Sequence, residues 1–215
     1  MIKGVIFDLD GVVTDTAEYH FLGWKKMADE EGLYFDRKIN EDLRGVSRLR
    51  SLEIILENNN IALTDEKKEE LAEKKNRYYR ESLGLISEND YLPGIKKLIH
   101  ELRDRGVRTA IASASKNAKT VVKNLHAEDL FEFIADGYSV TKTKPEPDLF
   151  LFAVKSIGLK ADECVVVEDA KAGVDAANKG GIHSVGIGPE NRVGHSELRY
   201  DDPSEMNADE ILSLG

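Results

Sequence analysis

The chain has little with which to cross-link, stiffen or anchor itself. Its one cysteine excludes an internal disulfide framework. That residue, Cys164, lies in the apolar run Cys164-Val165-Val166-Val167 and reads as a small buried thiol rather than a reactive one. Five prolines and 17 glycines in 215 residues are too few for a collagen-like or disordered chain. No stretch approaches the apolar length of a membrane span or signal peptide, so a cytoplasmic protein with no membrane partner is expected, and a monomer. Long cationic runs are missing too. The 30 Lys and Arg against 40 Asp and Glu leave a net charge of −10, which argues against a nucleic-acid partner. An anionic ligand must then be met by locally gathered bases.

What is present is an alternation of strand-like and helical segments. Ile2 to Leu9 is rich in Val, Ile and Phe and stops at Asp8, Asp10 and Gly11, as a buried parallel strand does where it opens into a loop. From Thr16 to about Glu88 only helices are expected. The first carries Ala17, Phe21, Trp24 and Ala28 on one face, with Asp15 as its cap, and ends at Gly32. A second carries Leu52, Ile55 and Leu56, and a third starts at Thr64 and runs to about Ser82. Strands then return at Val107 to Ser113, Phe133 to Ala135, Glu163 to Val167 and Ile182 to Gly186. Between them lie helices at Ile95 to Arg103, Asn117 to Leu125, Pro147 to Ser156 and Ala172 to Lys179. This is the pattern of an α/β fold with a doubly wound parallel sheet. It predicts a core of residues 1–15 and 89–215 interrupted by an all-helical insert of residues 16–88. The polar tail after about Pro189 has no clear assignment.

Asp8-Leu9-Asp10, Ser113, Lys144 and Glu168-Asp169 fall at or just beyond the C-terminal ends of proposed strands, which converge on one crevice in a parallel sheet. Carboxylates without His or Cys companions suit a hard cation, and Asp8, Asp10, Glu168 and Asp169 are the expected ligands of Mg2+. Lys144 and Ser113 can meet a phosphoryl group beside that ion. Asp8, already ionised at neutral pH, can attack phosphorus directly. Asp10, two residues on, can act as general acid and base.

The segment Asp8-Leu9-Asp10-Gly11-Val12-Val13-Thr14-Asp15-Thr16, followed by Ser113, Lys144-Pro145 and Glu168-Asp169 in that order, resembles the motif set of the haloacid dehalogenase superfamily. Thr14 to Phe21, Gly45-Val46-Ser47-Arg48 and Ala112 to Asn117 resemble its sugar phosphomutase branch more closely, and the likeness runs to about residue 188. The resemblance implies a Rossmann-like core with a helical cap, small sugar phosphates as ligands, and isomerisation of β-glucose 1-phosphate to glucose 6-phosphate through a bisphosphate. It implies a distal phosphate site at Arg48, Ser115, Lys116 and Asn117, with Gly45, Val46, Ser51, Lys75 and Ala114 around the sugar. It also implies a catalytic coupling of Thr16 and His20 to Asp10. A sugar-phosphate phosphatase of the same superfamily would share the acidic centre, and a catalytically silent module binding a phosphorylated metabolite would share the fold. Trp24, Tyr78 and Tyr79 read as helix core rather than as site residues.

Overall fold

A computed structural model describes residues 1–215. Gly4–Phe7 forms β1, buried along its whole length because it is the third of six strands and has neighbours on both edges. Helices α1 (Ala17–Glu30), α2 (Arg37–Glu41), α3 (Arg48–Asn58) and α4 (Asp65–Leu83) follow without a strand among them. The chain then alternates: α5 (Ile95–Asp104), β2 (Arg108–Ala112), α6 (Ala118–Asn124), β3 (Phe133–Ala135), α7 (Asp148–Ser156), β4 (Cys164–Glu168), α8 (Lys171–Lys179) and β5 (His183–Ile187). It ends with α9 (Glu190–Val193), β6 (Leu198–Tyr200) and α10 (Ala208–Leu212). No helix is long and apolar enough to cross a membrane.

The six strands are all parallel, in the order β3-β2-β1-β4-β5-β6, with Ile6 opposite Ala110 on one side and Val166 on the other. Side chains alternate across the sheet with period two. Val5, Phe7, Val165 and Val167 point to the face covered by α5, α6 and α10, and Ile6, Ala110 and Val166 to the face covered by α7 and α8. Each such buried Val, Ile or Phe side chain contributes roughly 1.5–3 kcal/mol over leaving it in water. A third apolar cluster, drawn wholly from Phe21 to Ala72, holds α1 to α4 together. The two connections between this helical segment and the sheet run side by side: Thr14 Oγ1 donates to the Asp90 carbonyl at 2.6 Å, and Leu92 N donates to the Val13 carbonyl at 2.9 Å.

One local expectation is corrected, and two stretches gain structure that the sequence left unassigned. Asp15 is not the N-cap of α1, a position held by Thr16: the Asp15 carboxylate accepts from Ala17 N at 3.0 Å from outside the helix, while Glu18 is taken by Arg37 and the Thr16 hydroxyl by Asp10. The short helix α2 is capped by Asp36, which accepts from Ile39 N. The tail is ordered into β6 and α10, with Ile211 fully buried against the core.

Candidate active site

The loop after β1 is the centre of the site. Gly11 has φ +90°, and a Cβ there would lie 2.5 Å from Asp169 Oδ2, so glycine lets the loop turn tightly past the end of β4. Asp8, Glu168 and Asp169 are thereby gathered, all buried, with one oxygen of each within 4.8 Å of the others. Lys144 is buried beneath them. Its ammonium donates to Asp8 and to Glu168 Oε1, the latter at 2.7 Å, and its partners hold it charged despite its burial. Burial, and then the neighbouring Glu168 and Asp10, push the Asp8 carboxyl well above the usual range against the pull of Lys144. Asp169 is pushed up to about 7 by burial and by Glu168.

Three carboxylates against Lys144 and Arg44, which pairs with Asp169, still leave this group short of positive charge. An all-oxygen, buried donor set in that state fits a hard divalent cation better than a soft one. Asp10, expected as a fourth ligand, is not in the group. Its carboxylate is turned aside, accepting from the Thr16 hydroxyl and from Ser113 Oγ at 3.3 Å. Burial raises its pKa against those two hydrogen bonds.

Above this floor lies a crevice between the sheet ends and α1 to α4. Asp8, Asp10, His20, Gly45, Val46, Arg48, Ser51, Lys75, Ala114, Ser115, Lys116, Asn117 and Asp169 line it as a set. Thr16, Ser113, Lys144 and Glu168 are fully or almost fully buried behind that lining and reach it through Asp8 and Asp10.

His20 lies one turn into α1, between Asp10 and α4. Its Nδ1 is 2.8 Å from the Lys75 amine, while its Nε2, otherwise unpartnered, is 3.8 Å from Asp10 Oδ1. With Lys75 as donor, the ring proton sits on Nε2 and faces Asp10. Burial first, then Lys75 and Arg48, hold His20 well below its ordinary pKa, so the ring is neutral.

Lys75 is pushed down to about 7, first by burial and then by Arg48. Between pH 7 and 10.5 the unfolded amine is protonated and the folded one is not, so stability rises with pH across that window; below it the folded state bears the full cost of a buried charge. Lys75→Met is therefore expected to stabilise the fold by about 2 kcal/mol near pH 7, with the gain fading towards pH 10.5. Thermal unfolding at the two ends of the window checks this, and a pH-independent difference would contradict it.

Several crevice residues carried no sequence signal. Arg44 Nη1 is 3.0 Å from Asp169 Oδ2, tying the segment before α3 to the acidic centre, and its Nε is 3.1 Å from Glu41. Asn76 accepts from Asn117 Nδ2 at 2.9 Å across the crevice. Both look like ordinary surface residues in sequence; Arg44 gains its partner where the segment before α3 meets the end of β4, and Asn76 where α4 meets the loop after β2. Trp24 and Tyr79 belong to the apolar clusters, as expected, and also border the crevice.

A doubly wound parallel sheet with an acidic centre at the ends of its two middle strands, facing arginines and lysines, defines an aspartate-centred α/β protein suited to anionic ligands. The chain belongs to the haloacid dehalogenase-like hydrolases, whose family model matches residues 2–181. It is 42% identical over 189 residues to a β-phosphoglucomutase from Bacillus subtilis, covering 87% of this chain and 84% of that one. A crystal structure of β-phosphoglucomutase from Clostridium difficile superposes with a TM-score of 0.95 at 39% identity, over 100% of this chain and 97% of that one. A phosphorylated carbohydrates phosphatase from Thermotoga maritima is 27% identical over 187 residues, covering 86% of this chain and 84% of that one.

Proposed function

We propose that the chain is a sugar phosphomutase that interconverts β-D-glucose 1-phosphate and D-glucose 6-phosphate through a phosphoaspartate on Asp8 and a glucose 1,6-bisphosphate intermediate. The observation that carries the reading is a single crevice with two ends suited to phosphate. One is the floor of Asp8 and Asp10 over Lys144; the other is formed by Arg48, Ser115, Lys116 and Asn117. A phosphatase needs one such end. A mutase needs two, because the bisphosphate must turn and present its other phosphate to the same nucleophile.

In the cycle, β-glucose 1-phosphate binds with its phosphate on the Arg48 side and its C6 hydroxyl towards phosphorylated Asp8. Asp10 takes the hydroxyl proton as the C6 oxygen attacks phosphorus and the bond to Asp8 breaks. After the bisphosphate turns, Asp8 attacks the phosphorus at C1, and Asp10 returns the proton to the departing C1 oxygen. A carboxyl whose pKa is raised by burial suits a group that must both carry and release that proton. Lys144 and Ser113 serve the transferring phosphate. Asp8, Glu168 and Asp169 would hold Mg2+, which supplies the charge screening that lets one anion attack another. Residues 16–88 act as a cap over a core of residues 1–15 and 89–215, excluding the water that would hydrolyse the phosphoaspartate. Thr16 and His20 couple the position of that cap to Asp10.

The test is a paired assay with β-glucose 1-phosphate, Mg2+ and a trace of glucose 1,6-bisphosphate, following glucose 6-phosphate and free phosphate together. Glucose 6-phosphate with little free phosphate is the expected outcome. Free phosphate appearing in step with substrate loss would replace the mutase by a phosphatase.

A further inference from the structure

Glu73, on α4, turns an acidic side chain towards Arg48, the group best placed to grip a phosphate at the outer end of the crevice. Its Oε2 accepts from Arg48 Nη1 at 3.0 Å. Both its oxygens lie 3.2 Å from Asn76 Nδ2, and Asn76 Oδ1 accepts from Asn117 Nδ2 at 2.9 Å. A continuous bridge, Arg48 to Glu73 to Asn76 to Asn117, therefore runs from α3 through α4 to the loop before α6. The Arg48 side chain is 18% exposed and that of Glu73 is 52% exposed. An ion pair with one partner so open to water adds little to folding. A negative charge beside the arginine is also a direct electrostatic obstacle to an incoming anion.

A carboxylate offers an arginine the same pair of acceptor oxygens that a phosphate does. We propose that Glu73 is an internal stand-in for the distal phosphate. It occupies Arg48, and through Asn76 keeps Asn117 engaged, until a phosphorylated sugar displaces it. This rests on the reading of Arg48 and Asn117 as distal-phosphate ligands. It makes Glu73 a specificity-determining residue, because the ligand must outcompete a resident carboxylate. A dianionic phosphate brings more charge than the group it replaces, whereas a neutral sugar or a monoanion does not. The same carboxylate assists product release by re-pairing with Arg48 as the phosphate leaves, so its removal affects dissociation most.

Trp24 borders the crevice and is the one tryptophan, so its fluorescence reports titration with glucose 6-phosphate in the presence of Mg2+. Glu73→Gln keeps the shape and an acceptor for Asn76 while removing the charge. It is expected to tighten binding by roughly threefold to tenfold. In steady-state kinetics KM falls, and kcat is unchanged or lowered by slower release. Arg48→Ala is expected to weaken binding on the order of tenfold or more. In the Arg48→Ala background, Glu73→Gln should have no further effect, because the two act through one contact. Weaker binding in Arg48→Ala with unchanged or weaker binding in Glu73→Gln overturns the stand-in and leaves the distal site intact. Unchanged binding in Arg48→Ala overturns the distal site and the stand-in with it.

Discussion

Asp8→Asn is expected to abolish turnover, with kcat lowered by at least about 10^4-fold, while the protein remains folded and binds glucose 1,6-bisphosphate. The amide has no lone-pair charge with which to form an acyl phosphate, so neither half of the cycle can begin. Unfolding would not be the cause. Asp8 is a buried carboxyl whose pKa is driven well above its ordinary value by burial and by Glu168 and Asp10, so its ionised form is a cost to the metal-free fold. That cost grows as pH rises from the unfolded carboxyl value towards the raised folded one, because the folded state holds the proton longer. Asparagine is neutral throughout and its amide oxygen can still accept from Lys144. Lys144 keeps Glu168 as its carboxylate partner, so metal-free Asp8→Asn should remain folded at neutral pH. Intact-protein mass spectrometry should show phosphorylation of the parent after exposure to the bisphosphate and none of the variant. Retained isomerisation, or a phosphorylated variant, would remove Asp8 as the nucleophile.

The strand ends were the most legible part of the chain, for a physical reason. A strand buried on both faces must be apolar, so a polar residue immediately after it marks where the backbone leaves the core. That is why Asp8, Ser113 and Glu168-Asp169 could be assigned to one crevice. Helix ends were legible where glycine takes a left-handed turn, as at Gly32 and Gly106, with φ of +67° and +78°. Strand order was not readable, since alternation of strands and helices is the same whichever neighbour each strand chooses. β6 was hidden because it is three residues long and includes the charged Arg199, which bonds the Gly188 carbonyl. Asp10 shows the limit of reading residue types. Its position two residues after Asp8 suggests a metal ligand as readily as an acid, and the direction of its side chain, towards Thr16 and Ser113, is not written in the sequence. Arg44, Glu73 and Asn76 were missed because a polar residue in a turn or on a helix carries no mark of the partner that another element brings to it.

Gly173→Ala should damage the site from a position that touches no ligand. Gly173 lies in the first turn of α8, directly over Glu168. A Cβ there would stand 1.9 Å from Glu168 Oε1, 2.0 Å from its Cδ and 2.3 Å from its Cγ. Glu168 cannot simply swing away. It is fully buried, accepts from Ala170 N at 2.9 Å and is paired with Lys144 at 2.7 Å. Either the start of α8 shifts, straining the loop that carries Asp169, or Glu168 leaves and Lys144 loses one of the two carboxylates that fix its ammonium beside Asp8. Overpacking and the loss of a buried pair each cost on the order of 1–5 kcal/mol, so a destabilisation of about 3 kcal/mol is expected in denaturant unfolding. Because Lys144 and Asp169 are held by the same contacts, activity should fall on the order of 100-fold, as it does when a catalytic constellation moves by about 1 Å. Glu168→Ala supplies the decisive comparison. It removes all three clashing atoms, so the stability cost of Gly173→Ala should largely vanish in that background. An equal cost in both backgrounds would mean that the glycine serves the helix backbone alone, and that the space beneath α8 does not govern the acidic centre.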